Sequence, residues 1–172
     1  MIDEQLSLFA NYMKGFNFVP PNSQGQSFKP EFGEQFEGGI KADIFSGILS
    51  STISYYNINV RDKIRKDINN PLLSIQDGTQ ISKGIDVDLR VTPVYNLNLI
   101  AGYGYNESEF TKADANIEGN HPPGTPKHIL NFWGSYSLEN DFINGLGFGV
   151  GVLYSDKYFY NDANTLVIPS YT

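Results

Sequence analysis

Apolar and polar residues alternate along most of this chain, and the alternation stops and restarts at intervals. In LNLIAGYGYNESEF (97–110), Leu97, Leu99, Ala101, Tyr103 and Tyr105 hold one parity. Asn98, Gly102, Gly104 and Asn106 hold the other, interrupted by Ile100, and beyond Tyr105 the chain turns polar. The same pattern recurs in Leu6, Leu8, Ala10 and Tyr12, in Phe36, Ile40, Ala42 and Ile44, and in Leu49, Ile53 and Tyr55. It returns in Ile85, Val87, Leu89 and Val91, in Leu130, Phe132, Tyr136 and Leu138, and in Phe148, Val150, Val152 and Tyr154. Successive side chains of a β-strand point to opposite faces, so a period of two over this much chain predicts strands. About eight follow, including a short last one over 166–172.

The connections predict an asymmetric molecule. Short turns are expected near 45–48, 93–96 and 139–145, and long polar loops over 17–33, 62–80 and 110–126. Tight turns at one end and long loops at the other characterise a transmembrane β-barrel. A soluble sandwich or lipocalin-like barrel also alternates, and the charges on the polar parity, Glu37, Lys41, Asp43, Asp86, Asp88 and Arg90, fit either assignment of faces. The aromatic residues favour the membrane. Tyr12, Phe36, Tyr55, Tyr103 and Tyr105 lie toward the long-loop ends, and Phe45, Tyr95, Tyr136, Phe142 and Phe148 toward the short-turn ends. Two such bands fit the two interfaces of a bilayer, where a ring is half buried and half hydrated. The alternation of 97–105 then ends where the strand leaves the hydrocarbon, because about 9–11 tilted residues suffice to cross it.

Composition narrows the chemistry. With 12 Phe, 11 Tyr, 1 Trp and 17 Gly in 172 residues, the chain favours strands and turns. Its net charge of −7, without a Lys/Arg cluster, argues against a nucleic-acid surface. Cysteine is absent, which removes disulfides and thiolate chemistry. No run of 18 apolar residues is present, which excludes a membrane helix of normal length but not a barrel wall. The segment MIDEQLSLFA does not read as a signal peptide.

Several side chains invite a catalytic or metal reading, and each has a plainer one. His121 and His128 flank PPGTPK without a third ligand at fixed spacing, and Pro122, Pro123, Gly124 and Pro126 more simply shape a rigid loop. Gly147, Gly149 and Gly151 lie within a strand with no helix after them, so they do not cradle a phosphate. They serve either close approach of another backbone or local curvature. The run Arg61, Asp62, Lys63, Arg65, Lys66 and Asp67 reads as a solvated loop margin or a landing place for anionic head groups or ligand. Asp86 and Asp88 resemble a catalytic carboxylate pair only superficially, since a water-filled barrel interior carries charges of both signs. No nucleophile elbow is present, and no enzyme activity is expected.

Longer phrases carry a family resemblance. SLFANYMKGFNFVPPNSQGQSFKPEFGEQFEGGIKADIF (7–45), SYYNINVRDKIRKD (54–67), IQDGTQISKGIDVDL (75–89), NLIAGYGYNESEFTKAD (98–114) and PPGTPKHILNFWGSY (122–136) resemble, in order, stretches of the TonB-dependent siderophore receptors. The resemblance covers nearly the whole chain. It implies an all-β antiparallel meander that is part of a 22-stranded outer-membrane barrel, with residues 1–172 as a partial barrel domain lacking the plug, the earlier strands and the final strands. A fragment of this kind is not expected to transport by itself. It also implies a ferric siderophore as transported ligand, no intrinsic cofactor, and partners in the receptor's own N-terminal plug, the TonB complex acting through that plug, and outer-membrane lipid with lipopolysaccharide. Glu37, Lys41, Asp86, Asp88, Arg90 and Trp133 are the expected lumen- or plug-facing residues; contacts to the siderophore are assigned to no residue. A complete small eight-stranded outer-membrane protein with a structural or adhesive role is the alternative.

Overall fold

The structure, a computed structural model, describes residues 5–22, 25–67, 70, 72–138 and 145–172, with Lys66 by its backbone alone. Seven strands form one sheet: β1 (Leu6–Asn17), β2 (Glu31–Ile44), β3 (Leu49–Lys66), β4 (Ser74–Val91), β5 (Leu97–Lys112), β6 (His128–Leu138) and β7 (Leu146–Ser155). They lie in chain order, each antiparallel to the next. Two short strands, β8 (Tyr158–Phe159) and β9 (Val167–Ile168), pair with each other beyond β7. The eighth strand expected over 166–172 therefore does not join the sheet as a strand. It contributes β9 and a single rung, in which Ser155 and Tyr171 exchange both backbone hydrogen bonds at 3.0 and 3.1 Å.

Register makes the alternation of each strand into two continuous faces. One rung runs Leu8, Ile40, Ile53, Val87, Tyr103, Leu130, Tyr154 across all seven strands. The neighbouring rung runs Ser7, Lys41, Thr52, Asp88, Gly102, Asn131, Leu153 and points the other way. A slip of one residue in any strand would turn its whole apolar set over, so agreement across six ladders is a strong constraint on the pairing.

Among the described residues, no second layer covers the apolar face. Val150 is 63 % exposed, Leu8 61 % and Ile53 49 %. Among the described residues the buried apolar side chains are Phe110 and Ile117, both at the long-loop end, so the sheet itself has no dry centre. A soluble β-fold would collapse this row into a core.

The two ends differ as expected, with one revision. At the short-turn end, Phe45, Ser46 and Gly47 take consecutive left-handed conformations (φ 56°, 57° and 88°) between β2 and β3. Asn96 (φ 65°) closes the β4–β5 turn, where Leu97 N–H donates to Val94 O at 3.2 Å. Phe142 and most of the third expected turn, 139–144, lie outside the described residues. At the other end the loops are 18–30, 67–73 and 113–127. The long loop expected over 62–80 is thus mostly strand, because β3 runs on to Lys66 and β4 resumes at Ser74. In a membrane barrel both faces above the aromatic band would meet water, so a strand there would have no reason to alternate, and loss of alternation would mark a change of medium rather than the end of a strand. Each of these 18-residue strands overshoots a bilayer crossing by roughly eight residues, or about 25 Å.

Candidate functional site

Two regions carry the polar chemistry: the polar face of the sheet and a cap built from the long-loop ends. The six residues singled out from the sequence share the polar face. Glu37 and Asp86 line one cavity with Tyr56, Asn106 and Ser108. Lys41, Asp88 and Arg90 line a second, nearer the short turns, with Asp43 and Thr52. Trp133 follows Arg90 along one rung, Arg90–Ile100–Trp133.

Their partners are mostly neutral. Asn11 Nδ2 donates to Glu37 Oε2 at 3.1 Å and Gln35 Nε2 to the same oxygen at 3.4 Å. Lys41 Nζ sits 5.2 Å from the centroid of the Phe9 ring. Among the described residues, no ion pair within 4.0 Å joins Lys41 or Arg90 to Glu37, Asp86 or Asp88. These charges are therefore presented to whatever lies against the sheet.

A repeated device sets the relief of this face. Large side chains lie across a glycine of the next strand: Phe9 over Gly39, Tyr56 over Gly84, Asn131 over Gly102, and Trp133 over Gly149 and Gly151. A Cβ on Gly149 or Gly151 would come within 2.6 Å of the indole. Neither expected reading of the glycine triplet covers this arrangement: two of its members leave room for Trp133 of the same sheet.

The cap is where the described chain is packed. Arg65, only 7 % exposed, donates from Nη1 and Nη2 to Asp114 at 2.6 and 2.9 Å, and from Nε and Nη2 to Asp77 at 3.0 and 3.2 Å. Burial alone would lower its pKa, but the two carboxylates more than offset this and hold the guanidinium above its ordinary value. The expected solvated loop margin is corrected here. Arg61 is exposed and pairs with Glu34 at 2.6 Å. Between it and Arg65, Asp62 takes φ 57° and the β3–β4 register shifts. Such a bulge re-aims the side chains after it. Arg65 consequently lines the same cavity, of about 210 Å³, as the polar-face residues Gln80 and Phe110. Nothing in the local sequence distinguishes the two arginines.

The histidines serve different neighbours. His128 Nδ1 lies 2.9 Å from Tyr103 Oη among the aromatic residues of the apolar face. His121 Nδ1 donates to Ser108 O at 2.7 Å, and its ring stacks on Phe159 at 6.0 Å.

A single open sheet with one apolar and one charged face, banded by aromatic rings, fits a piece of barrel wall. The family model for TonB dependent receptor-like β-barrels matches residues 1–172. The chain belongs to this TonB-dependent receptor β-barrel family. It is 26 % identical over 176 residues to the ferrichrome outer membrane transporter/phage receptor of Escherichia coli K12, which covers all of this chain and 23 % of that protein. It is 29 % identical over 175 residues to the ferrioxamine receptor of Yersinia enterocolitica, covering 99 % of this chain and 23 % of that one. The chain thus spans about a quarter of the length of the curated relatives it matches. Among solved structures, the ferric yersiniabactin uptake receptor FyuA from Yersinia pestis superposes with a TM-score of 0.80 at 15 % identity, over 99 % of this chain and 27 % of that one. The siderophore receptor PiuA from Acinetobacter baumannii gives 0.78 at 24 %, over 98 % and 26 %. At these identities the superpositions show the fold alone: an antiparallel β-meander like that of the receptor barrels.

Proposed function

We propose that this chain is a wall segment of an outer-membrane receptor that imports ferric siderophores. One observation carries the reading: seven strands in register place every apolar row on one face and Glu37, Lys41, Asp86, Asp88, Arg90 and Trp133 on the other. A two-faced wall needs lipid on one side and a wet, filled pore on the other. The relatives, named as transporters or receptors of iron chelates, supply the class of cargo. The segment performs no transport alone, because an open sheet encloses no path.

In this reading the lumenal charges are the wall's contribution to holding a plug. Glu37 and Asp86 attract cations and hydrogen-bond donors, whereas Lys41 and Arg90 beside Asp43 and Asp88 accept either sign. Trp133, held above Gly149 and Gly151, offers an apolar plate two strands from Arg90 on the same rung. Drive from the TonB complex reaches the plug, not this wall. On the outer surface above the aromatic band, Lys14, Glu34 and Arg61 form an exposed ion-paired strip at 3.3 and 2.6 Å that faces the head groups of lipopolysaccharide.

The test is uptake of radiolabelled iron by a strain whose only chelate receptor is the full-length receptor carrying this segment. The panel is ferrichrome, ferrioxamine B, a ferric tricatecholate and ferric pyoverdine, with and without the TonB protein. TonB-dependent uptake of at least one chelate is expected. Absence of uptake for hydroxamate, catecholate and mixed chelates alike would overturn the reading.

A further inference from the structure

The β5–β6 loop, 113–127, is tied down along its whole length. Phe110 N–H donates to Asn120 O at 3.0 Å and Gly119 N–H to Phe110 O at 2.8 Å, so the loop folds back on its own strand over the buried Ile117. Arg65 grips its near end through Asp114. Its far end meets the segment between β8 and β9. There the Asn164 carboxamide replaces a strand rung: Nδ2 donates to His121 O and His121 N–H donates to Oδ1, both at 2.8 Å. Asn164 adopts φ 54°, a conformation asparagine tolerates better than most residues. Asn120 Nδ2 donates to Asp162 O at 2.9 Å, and Gly124 N–H to Phe159 O at 2.9 Å. With both ends fixed, Pro122, Pro123 and Thr125 roof the cavity that Arg65 and Gln80 line from below.

We propose that Arg65 and Asn164 are positioning residues that make the β5–β6 loop a fixed wall of the receptor's mouth, which stays in place while chelate binds and passes. A charge-assisted, bidentate clamp at one end and a pair of carboxamide-to-backbone bonds at the other leave the loop little local freedom to open. A wall of this kind raises affinity by pre-organisation, because the loop's ordering entropy is lost on folding and not on binding. The proposal deepens the siderophore-receptor reading and rests on it for the cargo alone.

The experiment uses the full-length receptor in detergent and in cells. Asp114→Asn releases the loop while leaving Arg65 paired with Asp77 in the hairpin, and Asn164→Ala releases the other end. In the unliganded wild type, amide exchange at Gly119, Asn120, His121 and Gly124 is expected to be as slow as in the middle of β5. Each variant should speed it at least tenfold without changing exchange in β6, and should weaken binding of the chelate best taken up by the wild type. A cystine from Asn120→Cys with Asp162→Cys then locks the loop in place. The oxidised receptor is expected to take up that chelate at the wild-type rate. Fast exchange of these amides in the wild type would overturn the proposal, as would uptake that stops on oxidation and returns on reduction. If the parent takes up no chelate, the siderophore reading fails, and the exchange measurement still decides whether the loop is fixed.

Discussion

Trp133 and the glycines beneath it illustrate how this wall is tuned by single residues. The indole lies where side chains at positions 149 and 151 would otherwise be, so the glycines and the tryptophan are one feature. Gly151→Val is expected to destabilise the assembled receptor by about 1–3 kcal/mol, the usual cost of overpacking. Combining it with Trp133→Ala should restore most of that loss, read by urea unfolding in phospholipid vesicles. Without such recovery, Gly151 matters for backbone curvature instead. In the β4–β5 turn, Asn96→Val forces a β-branched residue to φ 65° and should cost about 1–2 kcal/mol, whereas Asn96→Gly should be nearly neutral. The sequence shows that glycines recur on the polar parity. It does not show which ring lies over which glycine, because that depends on register between strands.

At the scale of the element, the alternation identified the strands and the faces, and the faces give the sharpest comparison. Val152 and Leu153 are neighbours in β7 on opposite faces of the sheet, the apolar and the charged, and both are half exposed. Val152→Arg should cost about 2–4 kcal/mol of barrel stability in a bilayer, while Leu153→Arg should cost less than half as much. Equal costs in vesicle unfolding would mean that the faces are misassigned. The extension of β3 and β4 past the aromatic band was not legible, since its residues alternate weakly and read as loop. Nor was the clamp of Arg65, which depends on the bulge at Asp62 and on a loop about 50 residues away in sequence. Because the folded state holds this guanidinium above its ordinary pKa, its contribution is fully present below the unfolded value and fades only above it, in strong alkali. Exchange protection of the 113–127 loop should therefore be unchanged between about pH 7 and pH 10, once intrinsic exchange rates are corrected for. Loss of protection in that range would show that a different group holds the loop.

For the molecule as a whole, the open sheet decides behaviour. Among the described residues, β1 and β7 each have one side without a partner strand over most of their length, and nothing covers the apolar face. Unpaired strand edges and bare apolar surface drive association in water. The 172-residue segment expressed alone should elute as large oligomers without detergent and give no chelate uptake in cells. A monodisperse, soluble monomer by light scattering would mean that the apolar face finds a cover within this chain.

The sequence by itself determined the period of two, hence strands, the apolar and charged sets, the two aromatic bands and the order of tight turns and long loops. These are local properties, carried by neighbours along one strand. Tertiary structure alone decided which strand residues face each other, that two glycines accommodate Trp133, and that an arginine from a seemingly solvated run is buried between two carboxylates. Those outcomes depend on ladder register, on a bulge that turns later side chains over, and on loops that meet only once the sheet has formed.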